Sequence, residues 1–180
     1  MPTKATSSQQ FQGIFQAFGL FWRLDEVNWT PGKGKRRHFR LLGRRGSNLP
    51  KLKVADFRNQ QGIYILYGNL GPHYVGLTRK QNLGKRLKDH LSDQHKNQWD
   101  RFSWFTFAKV LKSRDETGLQ KIAEKPSVKA LNPDKGIRDI EALLIKAMAV
   151  KNVQQMKFVQ AKEWKQIKID EAHKYLQKVA

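Results

Sequence analysis

The chain has 180 residues, enough for one compact domain or for a core of roughly 100 residues with extensions at both ends, and too few for two ordinary independent domains. With 39% hydrophobic residues, ten phenylalanines and five tryptophans it has the apolar area to offset chain entropy, which excludes a disordered polymer. Its 35 Lys and Arg against 15 Asp and Glu leave +20 at pH 7, a field that draws in polyanions and turns away basic partners, and the absence of cysteine excludes disulfides and thiolate zinc sites. Nucleic acid is therefore the expected partner, DNA ahead of RNA. The apolar runs are too short to span a bilayer, and Met1 to Gln10 lacks the charged-then-apolar pattern of a signal peptide, so a cytoplasmic protein without membrane contact is expected.

Phe11, Ile14, Phe15 and Phe18 recur at helical spacing and predict a short amphipathic helix. The aromatic and basic stretch from Trp22 to Leu42 turns at Thr30-Pro31-Gly32-Lys33-Gly34-Lys35 and reads as a basic hairpin. Lys35, Arg36, Arg37 and Arg40, continuing to Arg44 and Arg45, read either as a solvated charged loop or as a grip on phosphates, with aromatics interleaved. Gly62 to Tyr67, a turn at Gly68 to Pro72, and His73 to Thr78 predict a β-hairpin. Leu83, Leu87 and Leu91 then repeat every four residues and predict a helix over 82–94, with Lys80 and Lys85 near its start as candidate phosphate contacts. Phe102 to Val110 is aromatic on both phases, as expected of a strand buried on both sides.

The stretch 112–136 is polar and turn-rich and reads as an insertion holding only a short helix around Leu119 to Glu124. Beyond Gly136, the apolar residues Ile140, Leu143, Leu144, Ile145, Ala147 and Met148 predict a helix buried nearly all round, and a lysine-rich helix is expected from Phe158 to Val179. Glu141 lies within that apolar run. A carboxylate there needs a cation: a core Arg or Lys would serve, and so would a hard metal ion.

Gly62-Ile63-Tyr64 on the first hairpin strand, Tyr74-Val75-Gly76 on the second, a helix with Arg86 and His90, an aromatic strand and a helix with a solitary Glu141 follow one another over about 57–155. That order resembles the GIY-YIG nuclease family. The resemblance implies a metal-dependent endonuclease that hydrolyses phosphodiester bonds of DNA with Mg2+ or Mn2+. Tyr64 is the candidate general base, given positive charge nearby to lower its pKa. Arg86 suits the phosphate oxygens through its planar fork, and His90 either accepts the Tyr64 proton or fixes its hydroxyl. By resemblance Tyr74 hydrogen-bonds the phosphate or the attacking water and Glu141 holds the metal ion. Asn152 matches an asparagine that such enzymes often carry after the metal-binding helix, and reads equally well as the end of that helix.

The implied fold is α+β, a small three-stranded, mainly antiparallel sheet flanked by helices. Its expected organisation is an N-terminal helix and basic arm over 1–56, a nuclease core over 57–155 and a lysine-rich C-terminal helix over 156–180. A freestanding restriction, repair or phage-defence enzyme would fit, working as a homodimer if both strands are cut at one place. The competing readings are a binding module of the same fold without activity, and a basic structural protein of the ribosome-associated kind.

Overall fold

The structure is a computed structural model that describes residues 13–32, 38–78, 81–124, 133–148 and 157–180. In chain order its elements are β1 (Ala17–Arg23), β2 (Leu42–Arg45), β3 (Lys53–Asp56), β4 (Gly62–Gly68), β5 (Gly71–Thr78), α1 (Leu83–Asp89), β6 (Arg101–Thr106), β7 (Val110–Arg114), β8 (Gln120–Ile122), α2 (Pro133–Met148), β9 (Lys162–Glu163), β10 (Lys165–Gln166) and α3 (Ala172–Val179). The fold is α+β, as the sequence predicts. Among the described residues no helix is long and apolar enough to cross a membrane.

The expected hairpin forms, β4 against β5, and β4 also pairs antiparallel with the aromatic strand β6. Gly62 lies so close to the Phe105 carbonyl that no Cβ fits between them, so this glycine lets the two strands meet. Because side chains alternate along a strand, Tyr64 and Leu66 enter one core cluster with Trp22, Trp104 and the α1 residues Leu83 and Leu87. Ile65 and Tyr67 enter another with Phe15, Phe18, Phe105 and the α2 residues Ala142 and Ala147. The sheet is thus a layer with α1 on one face and α2 on the other.

Several expectations change at the edges. The sheet has five strands in the order β5-β4-β6-β1-β9 rather than three. Phe18 belongs to β1, which pairs antiparallel with β6. The run from Ala17 to Trp22 offers apolar side chains to both faces of a sheet, and pairing outweighs its helical spacing. Phe11 lies outside the described residues. The basic stretch does not form a hairpin of its own, since β1 and β2 end up in different sheets and β2 pairs with β3 and β10. Leu119 to Glu124 is not helical either: β7 and β8 form an antiparallel pair there. Only Ala172–Val179 of the expected C-terminal helix is helical, preceded by two short strands that join the sheets, with Trp164 buried between them. Leu42, Leu52, Val54, Leu119, Ile167, Tyr175 and Val179 make a separate small core beneath α3.

The helix α2 is amphipathic rather than buried all round, for Ile140 is 51% exposed, Leu144 51% and Met148 62%. Glu141 is exposed with them. The buried carboxylate of this helix is Asp139, which is 0% exposed. It needs no cation, because its oxygens accept from the backbone N–H of Ile14 at 2.6 Å, Phe15 at 3.3 Å and Val159 at 2.9 Å. One aspartate thereby ties the approach to β1 and the chain after α2 to one helix face. Removing it strands three buried or half-buried donors at about 1–3 kcal/mol each, so Asp139→Ala should lower unfolding free energy by about 3 kcal/mol or more. Glu141→Ala should stay within about 0.5 kcal/mol of the parent. Urea unfolding of both variants checks the contrast, and equal losses would contradict it.

Candidate active site

The register of the hairpin decides which side chains can meet. Tyr64 stands opposite Gly76, and Tyr74 opposite Leu66, so the two tyrosines are diagonal neighbours on one face with ring centroids 6.0 Å apart. A Cβ at Gly76 would run into the ring and hydroxyl of Tyr64. The glycine of Tyr74-Val75-Gly76 is therefore the floor on which the tyrosine ring lies.

The first turn of α1 is capped by Asn82, whose side-chain oxygen accepts from the Lys85 N–H at 2.8 Å. The helix stops at Asp89, short of the expected 94, as Ser92 and Asp93 spend their polar groups on local turns. His90 closes the helix, with its own carbonyl accepting from the Trp99 indole N–H at 3.3 Å. Held there, its Nε2 lies 2.8 Å from the Tyr64 hydroxyl and its Nδ1 2.7 Å from Asp93 Oδ2. The Tyr74 ring packs against His90 at 5.2 Å. Arg86, one turn earlier on α1, interacts with both tyrosine hydroxyls. The structure thus brings together Tyr64, Tyr74, Arg86 and His90.

Electrostatics sharpen the roles these groups can take. Burial pushes Tyr64 up to about 12, and the Arg86 guanidinium, which favours the phenolate, does not reverse it. The expected lowering of this phenol by its positive neighbour is therefore outweighed by desolvation. Partial burial works against the charge on Arg86, but the hydroxyls of Tyr64 and Tyr74 more than compensate and raise its pKa. Burial holds His90 below the ordinary imidazole range, with Asp93 opposing the shift. At neutral pH His90 is consequently uncharged, and a carboxylate at Nδ1 sets the tautomer: Nδ1 carries the proton and Nε2 offers a lone pair to the Tyr64 hydroxyl.

Asp93 escaped the sequence reading, although His90-Leu91-Ser92-Asp93 puts it one turn on from a singled-out histidine in a chain with few acids. His95 escaped it too, and His73 reads in the sequence chiefly as a surface residue beside Tyr74; in the structure the His95 ring lies beside Tyr74 and His90, and the His73 ring lies beside His95.

Other predicted residues lie apart. Glu141 forms no hydrogen bond or ion pair with the cluster among the described residues, and its helix packs on the opposite sheet face, touching the edge strand β5. Arg44 donates to the Gly46 carbonyl at 3.0 Å and sits 4.9 Å over the Tyr175 ring, and Arg45 lies 5.9 Å from the Trp164 ring. These contacts bind β2 to α3 and the chain before it. Arg40 lines a cavity of about 660 Å³ with Arg58 and Asp115, away from the tyrosines, and exposed Lys85 pairs with Asp89 at 3.7 Å. Lys35, Arg36, Arg37, Lys80 and Asn152 lie outside the described residues.

The Asp93 contact makes a direct prediction. Since the carboxylate raises the His90 pKa against burial, Asp93→Asn should lower it further, and 15N-detected histidine titration should show His90 below 6.5 in the parent and lower still in the variant. An unchanged or higher value in the variant would contradict the assignment.

Residues 60–137 match the family model of the GIY-YIG catalytic domain. No curated protein and no solved structure matches the chain. The matched span runs from β4 to the first turns of α2, holding both tripeptides, Arg86 and His90, and ends before Glu141. Residues 60–137 of the chain thus form a nuclease-type domain of the GIY-YIG superfamily.

Proposed function

We propose that the protein is a metal-dependent endonuclease that hydrolyses phosphodiester bonds of DNA. The observation that carries this reading is the 2.8 Å contact between the buried Tyr64 hydroxyl and His90 Nε2, beside Arg86. A phenol held at about 12 is protonated at neutral pH, so Tyr64 can take a proton from water only while giving its own to another base. His90 is that base. In the proposed step a water proton passes to the Tyr64 oxygen as the Tyr64 proton passes to His90 Nε2, and the hydroxide formed attacks phosphorus. Asp93 steadies the imidazolium that results. Arg86 neutralises the phosphate oxygens, and Tyr74 donates to the same group or to the water.

Glu141 suits a hard cation. It is solvent-facing with no ion-pair partner among the described residues, and Mg2+ or Mn2+ accepts a single carboxylate while keeping water and phosphate oxygens in its other positions. The Glu141 helix meets the edge strand β5, and an ion held there would supply Lewis-acid stabilisation to the departing 3′ oxygen of a phosphodiester lying across that edge. The +20 charge supports DNA as the substrate and predicts steeply salt-sensitive binding. One site per chain cuts one strand, so a double-strand break would ask for two chains or two encounters.

Supercoiled plasmid with Mg2+ tests the reading: nicking is expected, and EDTA or Glu141→Ala should abolish it. Tyr64→Phe and Arg86→Ala should each slow nicking by about 10²- to 10⁴-fold. Cleavage that survives Glu141→Ala would remove the metal assignment, and binding without cleavage of any plasmid, branched DNA or RNA would leave a binding module.

In chelator-washed protein with Mg2+, the single-turnover rate should fall on the acid side with an apparent pKa below 6.5, as His90 gains a proton and loses its lone pair. The raised phenol of Tyr64 should impose no basic limb below about pH 10. An acid limb above 6.5 would point to another base.

Gly76→Ala should lower the rate about as far as Tyr64→Phe while leaving the circular dichroism spectrum intact. The methyl group displaces the tyrosine ring rather than the strand, and a fully active variant would contradict the close contact.

A further inference from the structure

Beside the tyrosines lies a group of side chains that hydrolysis uses only in part, through His90 and Asp93. His90, Asp93 and His95 each present a ligand atom, all within 4.8 Å of one another. A fourth donor comes from the hairpin, where His73 Nε2 is 3.0 Å from His95 Nδ1. The contact has its imidazoles nearly perpendicular, with His73 and His95 at 78° and His90 and His95 at 84°. Two ligands at about 2.1 Å on a tetrahedral ion stand roughly 3.4 Å apart, so the His73–His95 separation of 3.0 Å and the His90–Asp93 separation of 2.7 Å must open by less than about 1 Å while ligand atoms as far as 4.8 Å apart draw together. The His95 side chain is half-buried and His73 is exposed, which leaves both free to adjust. The Asp93 carboxylate is already oriented, with Oδ1 accepting from the His95 backbone N–H at 2.8 Å and Oδ2 facing His90 Nδ1 at 2.7 Å.

The geometry points to a transition-metal site formed by His90, Asp93, His95 and His73, which takes Zn2+ or a similar borderline cation and switches the nuclease off. Imidazole nitrogens with one carboxylate suit zinc, nickel and cobalt, whereas Mg2+ prefers oxygen donors, so this centre is separate in chemistry from the ion assigned to Glu141. Its effect on activity follows from the tautomer and rests on the function proposed above. A cation on His90 Nδ1 replaces the proton there, and the neutral ring must then carry its proton on Nε2. That nitrogen changes from acceptor to donor toward the Tyr64 hydroxyl and can no longer take the tyrosine's proton. The ring proton moves from Nδ1 to Nε2, so this imidazole releases none to solvent, and no oxidation state changes.

Equilibrium dialysis of the chelator-washed full chain against zinc chloride tests the site without reference to activity. One zinc per chain is expected with Kd on the order of micromolar, unaffected by millimolar Mg2+. His95→Gln and the more exposed His73→Gln should each weaken binding by roughly tenfold or more. Replacing zinc with Co2+ should give the visible absorption of a tetrahedral site. No zinc held at about 0.1 mM, or equal affinity in both variants, would overturn the site.

Nicking assays supply the second reading. Micromolar zinc should suppress cleavage in the parent, EDTA followed by Mg2+ should restore it, and His73→Gln should cleave normally with reduced zinc sensitivity. Zinc bound at one equivalent without loss of nicking would overturn the switch. Protein that binds zinc at these residues yet cleaves nothing would uphold the metal site and remove the nuclease reading instead.

Discussion

The hydrogen bond between the Tyr64 hydroxyl and His90 Nε2 is the contact on which the rest of the site depends. It joins a strand in the middle of the sheet to the residue that closes the neighbouring helix. A tyrosine can lie flat enough to make it only because its cross-strand partner, Gly76, has no side chain. The imidazole is in place because Leu83 and Leu87 dock α1 on the sheet and the Trp99 indole anchors the His90 carbonyl. Burial then tunes both partners in the same sense: it keeps the phenol protonated and the imidazole neutral, a donor facing an acceptor. In a more solvated site the two groups would titrate closer to their ordinary values and the direction of the proton would be less firmly set.

Three carboxylates show how environment divides labour in a chain short of acids. Asp139 is buried and satisfied by backbone N–H groups, so it holds the fold together. Asp93 is half-exposed and faces His90, so it orients an imidazole. Glu141 lies two residues from Asp139 on the same helix and faces solvent, where it is available to a cation. A helix turns by about 100° per residue, so two positions place neighbouring carboxylates on different faces.

The parts outside the matched domain have a mechanical role. β1 covers the edge of β6 that would otherwise be open, and β9 extends the sheet beyond it. Trp22 and Trp164 carry the aromatic core from there to the small sheet, where the Trp22 indole donates to the Trp164 carbonyl at 3.2 Å. Arg44 and Arg45, which read as phosphate contacts in isolation, stack on Tyr175 and Trp164 and help to fasten this junction.

Much of this was open to a reading of the sequence by itself. The hairpin with its paired tyrosines, the helix bearing Arg86 and His90 at one-turn spacing and the doubly buried strand β6 all follow from local periodicity and turn chemistry, which act over a few residues. What local pattern could not decide was partnership. Whether Phe18 belonged to a helix or a strand depended on β6, about 85 residues away in the chain, and the burial of Asp139 rather than Glu141 depended on the approach to β1. The same holds for His73, which meets His95 only once the hairpin and α1 have docked, whereas Asp93 reaches His90 across a single local turn. The sequence determined which groups are present and their spacing along each element; the tertiary structure alone decided which of them lose water to one another, and desolvation sets their protonation.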